Sequence, residues 1–149
     1  MTEFTSHLNW KKNTADFVYE TYDRAFQIKF EGGQTIKGSA GEEFFGQSQF
    51  ANPEELLAAS LGGCHLLTFL AVACKSHLTV SSYEDSPVAT LEKNEAGKMA
   101  VTHIVLRPKV KFEQADVTLE KIQALHEKAH KNCMIANSVN FKVTLEPQR

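Results

Sequence analysis

The chain has 149 residues, of which 23% are charged, and its formal net charge at pH 7 is −2. This near balance gives no electrostatic basis for binding nucleic acid or an acidic membrane surface, so we expect neither partner. The length suits one domain, residues 1–149, with a single core. The start of the chain lacks the pattern of a signal peptide, and three widely spaced cysteines form no secreted disulfide framework, so we predict a cytoplasmic protein.

The first 51 residues predict an antiparallel meander that ends in a loop. Short alternations of apolar and polar residues favour four strands, over residues 6–10, 14–21, 25–30 and 35–38. Gly32 and Gly33 suit a turn between the last two strands. Residues 40–51 predict a loop that crosses to a helix, and such a loop is a natural wall for a functional site.

Residues 52–75 predict a long central helix. Asn52 suits the N-cap, Pro53 suits the first position, and Glu55 completes a capping box. Apolar residues then occur in every direction around the helix up to Cys74, so we expect burial on all sides. Burial inside protein is favoured over a membrane span, because this window is only weakly lipophilic and no second span accompanies it.

Two glycines in the middle of this helix predict close packing against a neighbour. Gly62 and Gly63 each cost about 1 kcal/mol relative to Ala, and close approach by another backbone would offset that cost. Glu54, whose simplest role is to complement the helix dipole, lies about 15 Å before Cys64 along a straight helix. Two antiparallel copies would bring Glu54 of one chain to Cys64 of the other, and this hypothesis predicts a twofold homodimer.

The rest of the chain predicts a mixture of strands with one more helix, and no regular strand-helix alternation. The amphipathic pattern of residues 118–132 predicts a helix whose apolar side extends to Cys133. Ser86 and Pro87 mark a break between strands, and residues 94–97 suit a hairpin turn. Together these patterns predict an α+β fold. The predicted strands cover residues 78–83 and 88–93, a long stretch around Pro108, and residues 140–145.

Cys64 and Cys133 are the first candidates for chemistry. A cysteine in a buried helix is most often a small hydrophobe, and that alternative stays open. The glycines before Cys64 leave space around its sulfur, and a reactive thiolate would need a nearby cation. Arginine occurs only at positions 24, 107 and 149, and Arg24 begins the strand that leads to the loop before the helix. We predict that Cys74, about 15 Å from Cys64 along the helix, is structural.

His126, Glu127 and His130 fit the H-E-x-x-H pattern of zinc peptidases, and Cys133 could be a third ligand. A zinc hydrolase is therefore one hypothesis, although a pattern of five residues also arises by chance. The simpler interpretation places these histidines at the edge of the packed face. His65 adjoins Cys64, but adjacent helical residues point about 100° apart, so we do not expect them to share a proton.

Residues 52–64, NPEELLAASLGGC, resemble the signature of the OsmC/Ohr family of osmotically inducible and organic hydroperoxide resistance proteins. Residues 130–138, HKNCMIANS, resemble the second motif of that family. The resemblance implies an intertwined homodimer in which antiparallel sheets wrap around long central helices, with active sites at the subunit interface. It also implies thiol-dependent reduction of organic hydroperoxides.

The same resemblance implies individual roles. Cys64 resembles the peroxidatic cysteine and Cys133 the resolving cysteine, with a disulfide between them, and Glu54 matches the glutamate that pairs with the activating arginine. The family arginine commonly follows the first strand, where this chain has lysines, so Arg24 is assigned by elimination. A lipoyl-type or other dithiol would be the reductant, and no metal or organic cofactor is expected. The alternative is a non-catalytic dimeric module that binds a small ligand in an interface pocket.

Overall fold

The computed structural model describes residues 1–148, which form eight β-strands and two α-helices. They divide into two compact units. The N-terminal unit covers residues 1–56, and the C-terminal unit begins at residue 57. Whether the chain acts as one domain, as the length suggests, stays a prediction.

The N-terminal unit contains one antiparallel sheet of three strands. Its order is β1 (Ser6–Asn9), β2 (Phe26–Phe30) and β3 (Thr35–Gly38). The turn between β2 and β3 needs a glycine, because Gly33 has a φ of 91°. Its N–H donates to the carbonyl of Phe30 at 2.9 Å and closes the turn. The predicted meander is therefore present with three strands.

The prediction of a strand over residues 14–21, the second of the four, is wrong. Residues in this stretch form turns and bends instead. Asp23 accepts hydrogen bonds from the side chain of Asn13 at 2.6 Å and from the N–H of Ala25 at 2.7 Å. The guanidinium of Arg24 donates to the carbonyls of Tyr19 and Tyr22. Side chains thus satisfy backbone groups that a strand would pair in a ladder, and the chain curls around them.

The long helix α1 (Pro53–Lys75) begins as the sequence predicts. Asn52 Oδ1 accepts from the N–H of Glu55 at 2.8 Å, and Glu55 Oε2 accepts from the N–H of Asn52 at 2.9 Å. These reciprocal bonds form a capping box and satisfy two donors at the helix start. The capping prediction is confirmed.

The expected burial of α1 on all sides is wrong for the single chain. Seven of its 23 residues are buried, and one side is open. Leu67, at the centre of that side, is 68% exposed. We call this side the α1 stripe, and its members follow helical spacing: Ala59, Ser60, Gly63, Leu67, Ala71 and Cys74.

In length and composition α1 could cross a membrane, and it is the one helix in the described part of the chain that could. The core helix of a soluble protein passes the same test. Helix α1 has buried sides and one open side, as expected for a helix that packs against the rest of its own chain on some sides only.

The C-terminal unit holds two sheets. In the first, β4 (Val80–Glu84) pairs with β7 (Lys109–Phe112). The second has β5 (Val88–Lys93) antiparallel to β6 (Met99–Leu106), and a last strand parallel to β6 on its other side. This last strand is β8 (Lys142–Leu145).

The single long strand predicted around Pro108 is wrong, because β6 and β7 are separate and belong to different sheets. Pro108 has no N–H to offer a neighbouring strand. The N–H of Arg107 donates to Asp85 Oδ1 at 2.7 Å instead of entering a ladder. Pairing therefore stops here and the chain changes sheets.

The second helix, α2 (Leu119–Asn132), follows its prediction closely. Thr118 is the N-cap, and its side chain accepts from the N–H of Lys121 at 3.2 Å. Cys133 caps the other end.

The C-terminal unit buries two apolar clusters, and the helices contribute to both. One contains Ala58, Leu61, Ile104, Leu106 and Cys133, and the other contains Phe69, Val72, Ala73, Leu125 and Ala129.

Candidate active site

Cys64 and Cys133 lie together in the C-terminal unit. Helix α1 carries Cys64, which is partly exposed, and the end of α2 carries Cys133, which is fully buried. The side chain of Cys64 packs against the apolar cluster that contains Cys133. Residues that stand 69 positions apart in the sequence therefore occupy one site.

The turn after α2 supplies donors to both sulfurs. The N–H of Ile135 donates to Cys64 Sγ at 3.5 Å, and the N–H of Ala136 donates to Cys133 Sγ at 3.4 Å. This turn continues into a short 3₁₀ helix, Ala136–Ser138. Backbone N–H groups favour the anionic form of a sulfur that they face.

The pKa values of the two thiols move in opposite directions. Burial raises the pKa of Cys64, but hydrogen bonds from Cys133, from the backbone of Ile135 and Met134 and from Thr68 outweigh burial and lower it overall. Burial raises the pKa of Cys133, and its hydrogen bond to Cys64 raises it further. Cys64 is thus the more easily ionised thiol of the pair, and Cys133 is the thiol that keeps its proton more readily.

Sequence reasoning missed Thr68 and the backbone donors. Thr68 Oγ1 donates to the carbonyl of Cys64 at 2.8 Å, one helical turn away. The spacing of four residues could have indicated Thr68, since polar residues are rare in this helix. No side-chain pattern could have indicated the N–H groups of Ile135 and Ala136, because any residue but proline carries one.

Arg24 is held in the N-terminal unit and is 8% exposed. Its Nη1 donates to the carbonyl of Tyr22 at 2.9 Å. The guanidinium carbon lies 4.0 Å from the centre of the Tyr22 ring and 5.2 Å from that of Tyr19. Phe45 lies on a further side at 5.3 Å. Aromatic faces stabilise such a cation, so Arg24 has a fixed position.

Arg24 and Glu54 line the same cavity of the N-terminal unit, whose volume is about 690 Å³. The other lining side chains include aromatic rings, among them Trp10, Phe17 and Phe44. Within residues 1–148 the ion pair is between Arg107 and Glu146, and Arg24 and Glu54 form none. Arg149 lies outside the described residues. The structure thus brings the predicted site residues together in two pairs, one in each unit.

A buried pair of histidines links α1 to α2. His65 Nε2 and His126 Nδ1 are 3.0 Å apart, and the two rings are stacked with their centroids at 5.3 Å. The pKa of each imidazole is lowered to about 4, by burial in both cases and, for His65, also by charge on His126 or His130. Both rings are therefore neutral at pH 7. The expectation that His65 does not share a proton with Cys64 agrees with this pairing.

The zinc hypothesis is not favoured by these contacts. His126 is 1% exposed and its Nδ1 faces His65. Across residues 1–148, the side chains form no group of three or more His, Cys, Asp or Glu residues that could hold a metal ion. Cys133, the suggested third ligand, is buried in the apolar cluster against which Cys64 packs. Cys74 is exposed.

The fold and this site define an α+β protein with a paired-thiol centre. The sequence matches the family described as OsmC-like protein over residues 46–148. The chain belongs to the OsmC-like family, and the predicted family and fold class are confirmed. A search of curated proteins found no match.

Solved structures support the same assignment. An OsmC-like protein of unknown function from Vibrio cholerae shares 38% identity, with a TM-score of 0.94 over 99% of this chain and 100% of the other. An organic hydroperoxide resistance protein from Elizabethkingia anophelis has 20% identity and a TM-score of 0.78, over 100% and 97% of the two chains. One from Bacillus subtilis has 22% identity and a TM-score of 0.69, over 99% and 98%. The last two show the fold.

Proposed function

We propose that this protein is a thiol-dependent peroxidase that reduces organic hydroperoxides. The observation that carries the proposal is the contact between Cys64 and Cys133, in which the first thiol has a lowered pKa and the second a raised one. A peroxide needs a thiolate to attack it, and the resulting sulfenic acid needs a second thiol within reach. Cys64 is also the more exposed of the two.

The reaction has two steps in the protein. The Cys64 thiolate attacks the distal oxygen of the hydroperoxide, the O–O bond breaks, and the alkoxide takes a proton to leave as an alcohol. Cys64 then carries S–OH. The sulfur of Cys133 attacks it, an S–S bond forms, and the S–O bond breaks to release water. The substrate has gained two electrons, and the protein has lost them.

A dithiol of the lipoyl type or another cellular thiol restores the pair by exchange. One of its sulfurs attacks the Cys64–Cys133 disulfide, and its second sulfur resolves the mixed disulfide. Both protein thiols are then free and the reductant carries the new disulfide. We place this cycle in the cytoplasm, where reductants keep thiols reduced.

Arg24 and Glu54 are proposed to complete the active site from the cavity of the N-terminal unit. A fixed guanidinium provides a donor for a peroxide oxygen and for the alkoxide that leaves. Aromatic residues around it suit the organic part of the substrate. Glu54 lies ten residues before Cys64 on α1, about 15 Å along the axis, so one straight helix does not bring the two side chains together.

A homodimer would overcome this separation, and the α1 stripe supports one. An apolar helix side on a soluble protein is usually covered by a partner. Gly63 lies on the stripe, and a Cβ added there would have no atom within 4 Å. A second copy of α1 packed antiparallel across these small residues would bring its Glu54 toward Cys64.

The test is the mass of the intact protein after one equivalent of cumene hydroperoxide. We expect a loss of about 2 Da as the disulfide forms. Cys64→Ser should abolish this change, Cys133→Ser should stop at a sulfenic acid that dimedone traps, and Cys74→Ser is the matched control that should behave as the wild type. An unchanged count of free thiols would overturn the proposal and favour a non-catalytic ligand-binding module.

A further inference from the structure

A second cavity lies in the C-terminal unit, and the mechanism above does not use it. It has a volume of about 590 Å³ and lies between α2, β7 and β8. We call it the α2 cavity. Neither Cys64 nor Cys133 lines it.

The α2 cavity has apolar walls and a buried polar atom without a partner. Val110, Ile122 and Leu145 are among the apolar lining residues. His126 also lines it and is 1% exposed. Within residues 1–148, His126 Nε2 has no hydrogen-bond partner. Such an orphaned buried nitrogen costs free energy unless a ligand or water satisfies it.

The tautomer adopted in the contact with His65 determines whether His126 Nε2 is a hydrogen-bond donor or an acceptor. His65 Nε2 and His126 Nδ1 are 3.0 Å apart, so one of these nitrogens holds the proton that the other accepts. When His126 holds that proton on Nδ1, its Nε2 is an acceptor. Burial lowers the pKa of His126 to about 4, so the ring is neutral at pH 7 and does not repel a cation.

The other polar side chains of the α2 cavity also offer acceptors. Gln123 Nε2 donates to Glu127 Oε1 at 3.2 Å, and Gln148 Nε2 donates to the carbonyl of Glu146 at 2.7 Å. Each carboxamide thereby leaves its oxygen available, as does the second oxygen of the Glu127 carboxylate. Among the residues that the structure describes, no Lys or Arg lines this cavity.

We propose that the α2 cavity binds a small organic cation, an amine or amidine on an apolar body, whose N–H groups are accepted by His126 Nε2 and Glu127. The apolar walls exclude water from the body of the ligand, and the carboxylate compensates its charge. The site is independent of the peroxidase proposal, because its lining and its ligand class are different.

Three nearly isosteric probes test the charge requirement. Benzamidine is a cation, benzamide is neutral and benzoate is an anion. By titration calorimetry we expect benzamidine to bind at least tenfold more tightly than benzamide, and benzoate to show no binding. Equal binding of benzamide or benzoate would overturn the proposal. Peroxide reduction should continue with benzamidine bound, so failure of one proposal does not mimic failure of the other.

Two further measurements locate the site. Glu127→Gln changes an exposed side chain that lines the cavity, and we expect it to weaken benzamidine binding about tenfold. Glu120→Gln removes an exposed acid on the same helix that does not line the cavity, and it should bind as the wild type. The ¹⁵N spectrum should show His126 with Nε2 unprotonated and shifted by benzamidine. Equal weakening by both variants, or unmoved His126 resonances, would refute the site.

Discussion

Cys64 and Cys133 are the same residue type, yet their surroundings shift their pKa values in opposite directions. Cys64 gains donors from the thiol of Cys133 and from the turn after α2, and these outweigh burial and lower its pKa. Cys133 is fully buried and donates toward Cys64, so its pKa rises. The difference between the proposed attacking thiol and the proposed resolving thiol thus arises from a few hydrogen bonds.

Replacing Cys133 by Ala should raise the pKa of Cys64, because Cys64 loses the strongest of the donors that lower it. We expect alkylation of Cys64 by iodoacetamide at pH 7 to slow by roughly a factor of 2 to 10, since only the thiolate reacts. Rates measured from pH 5 to 10 check this. Cys74→Ala is the control. An unchanged profile in the Cys133 variant would show that this thiol does not tune Cys64.

The histidine pair should make stability depend on pH. The folded-state pKa of His65 and His126 is about 4, below the ordinary value of 6.5. The unfolded chain therefore binds more protons between these values, and stability should be full above pH 6.5 and fall as the pH drops to about 4. At about 1.4 kcal/mol per pKa unit, protonation of each imidazole lowers the free energy of unfolding by roughly 3.5 kcal/mol.

Urea unfolding at pH 7, 5.5 and 4.5 measures this dependence. The double substitution His65→Leu with His126→Leu should flatten it, because no buried imidazole is left to protonate. His7→Gln alters an exposed histidine and should leave the slope as in the wild type. A wild-type stability that stays constant from pH 6.5 to 4.5 would contradict the assignment.

At the scale of the element, α1 does most to organise the molecule. Its capping box determines where it begins, its buried residues join both apolar clusters, and its open side forms the α1 stripe. The paired glycines have different surroundings. A Cβ on Gly62 would lie 2.6 Å from Pro87 Cγ, whereas Gly63 has open space. Close packing is therefore required at the first glycine only, within one chain.

Gly62→Ala and Gly63→Ala form a matched pair. We expect Gly62→Ala to destabilise the protein by about 1–3 kcal/mol, because the rigid Pro87 ring must shift. Gly63→Ala should stabilise the single chain by up to about 1 kcal/mol through helix propensity, and weaken the proposed dimer. Urea unfolding and sedimentation at several protein concentrations separate the two effects. Equal stability of both variants would contradict the packing at Pro87.

At the scale of the whole molecule, the proposed site residues form two pairs. Cys64 and Cys133 belong to the C-terminal unit, and Arg24 and Glu54 line a cavity of the N-terminal unit. Helix α1 carries Glu54 and Cys64 about 15 Å apart along its axis. The proposed homodimer would supply Glu54 from the partner to each Cys64. Its two sites would then depend on both chains.

Hybrid dimers test this sharing. Glu54→Gln and Cys64→Ser homodimers should each have little activity. If Glu54 acts across the interface, a hybrid of the two variants contains one intact site, and we expect about half of the wild-type activity. If Glu54 acts within its own chain, the hybrid has no intact site and stays inactive. Reduction of cumene hydroperoxide by tagged, purified hybrids measures the difference.

Local patterns predicted much of this molecule. The capping box of Asn52 and Glu55 could be predicted because its partners are three residues apart, and α2 could be predicted from its amphipathic period. The break at Pro108 was missed, since it depends on Asp85 accepting from Arg107 in a distant segment. The irregular stretch before β2 was not predicted. Arg24 donates to two backbone carbonyls there, whereas the alternating pattern predicts that such carbonyls pair with a neighbouring strand.

The sequence by itself determined the family and the two helices, and it indicated the two sulfurs proposed to react, because these depend on motifs and on hydrogen bonds between near neighbours. Only the tertiary structure decided that Ile135 and Ala136 face the two sulfurs, that His65 pairs with His126, and that a side of α1 stays open. Those features depend on segments far apart in the chain. The pKa of a group, its burial and whether its polar atoms have partners all depend on which residues surround it. Those neighbours are known only once the chain has folded.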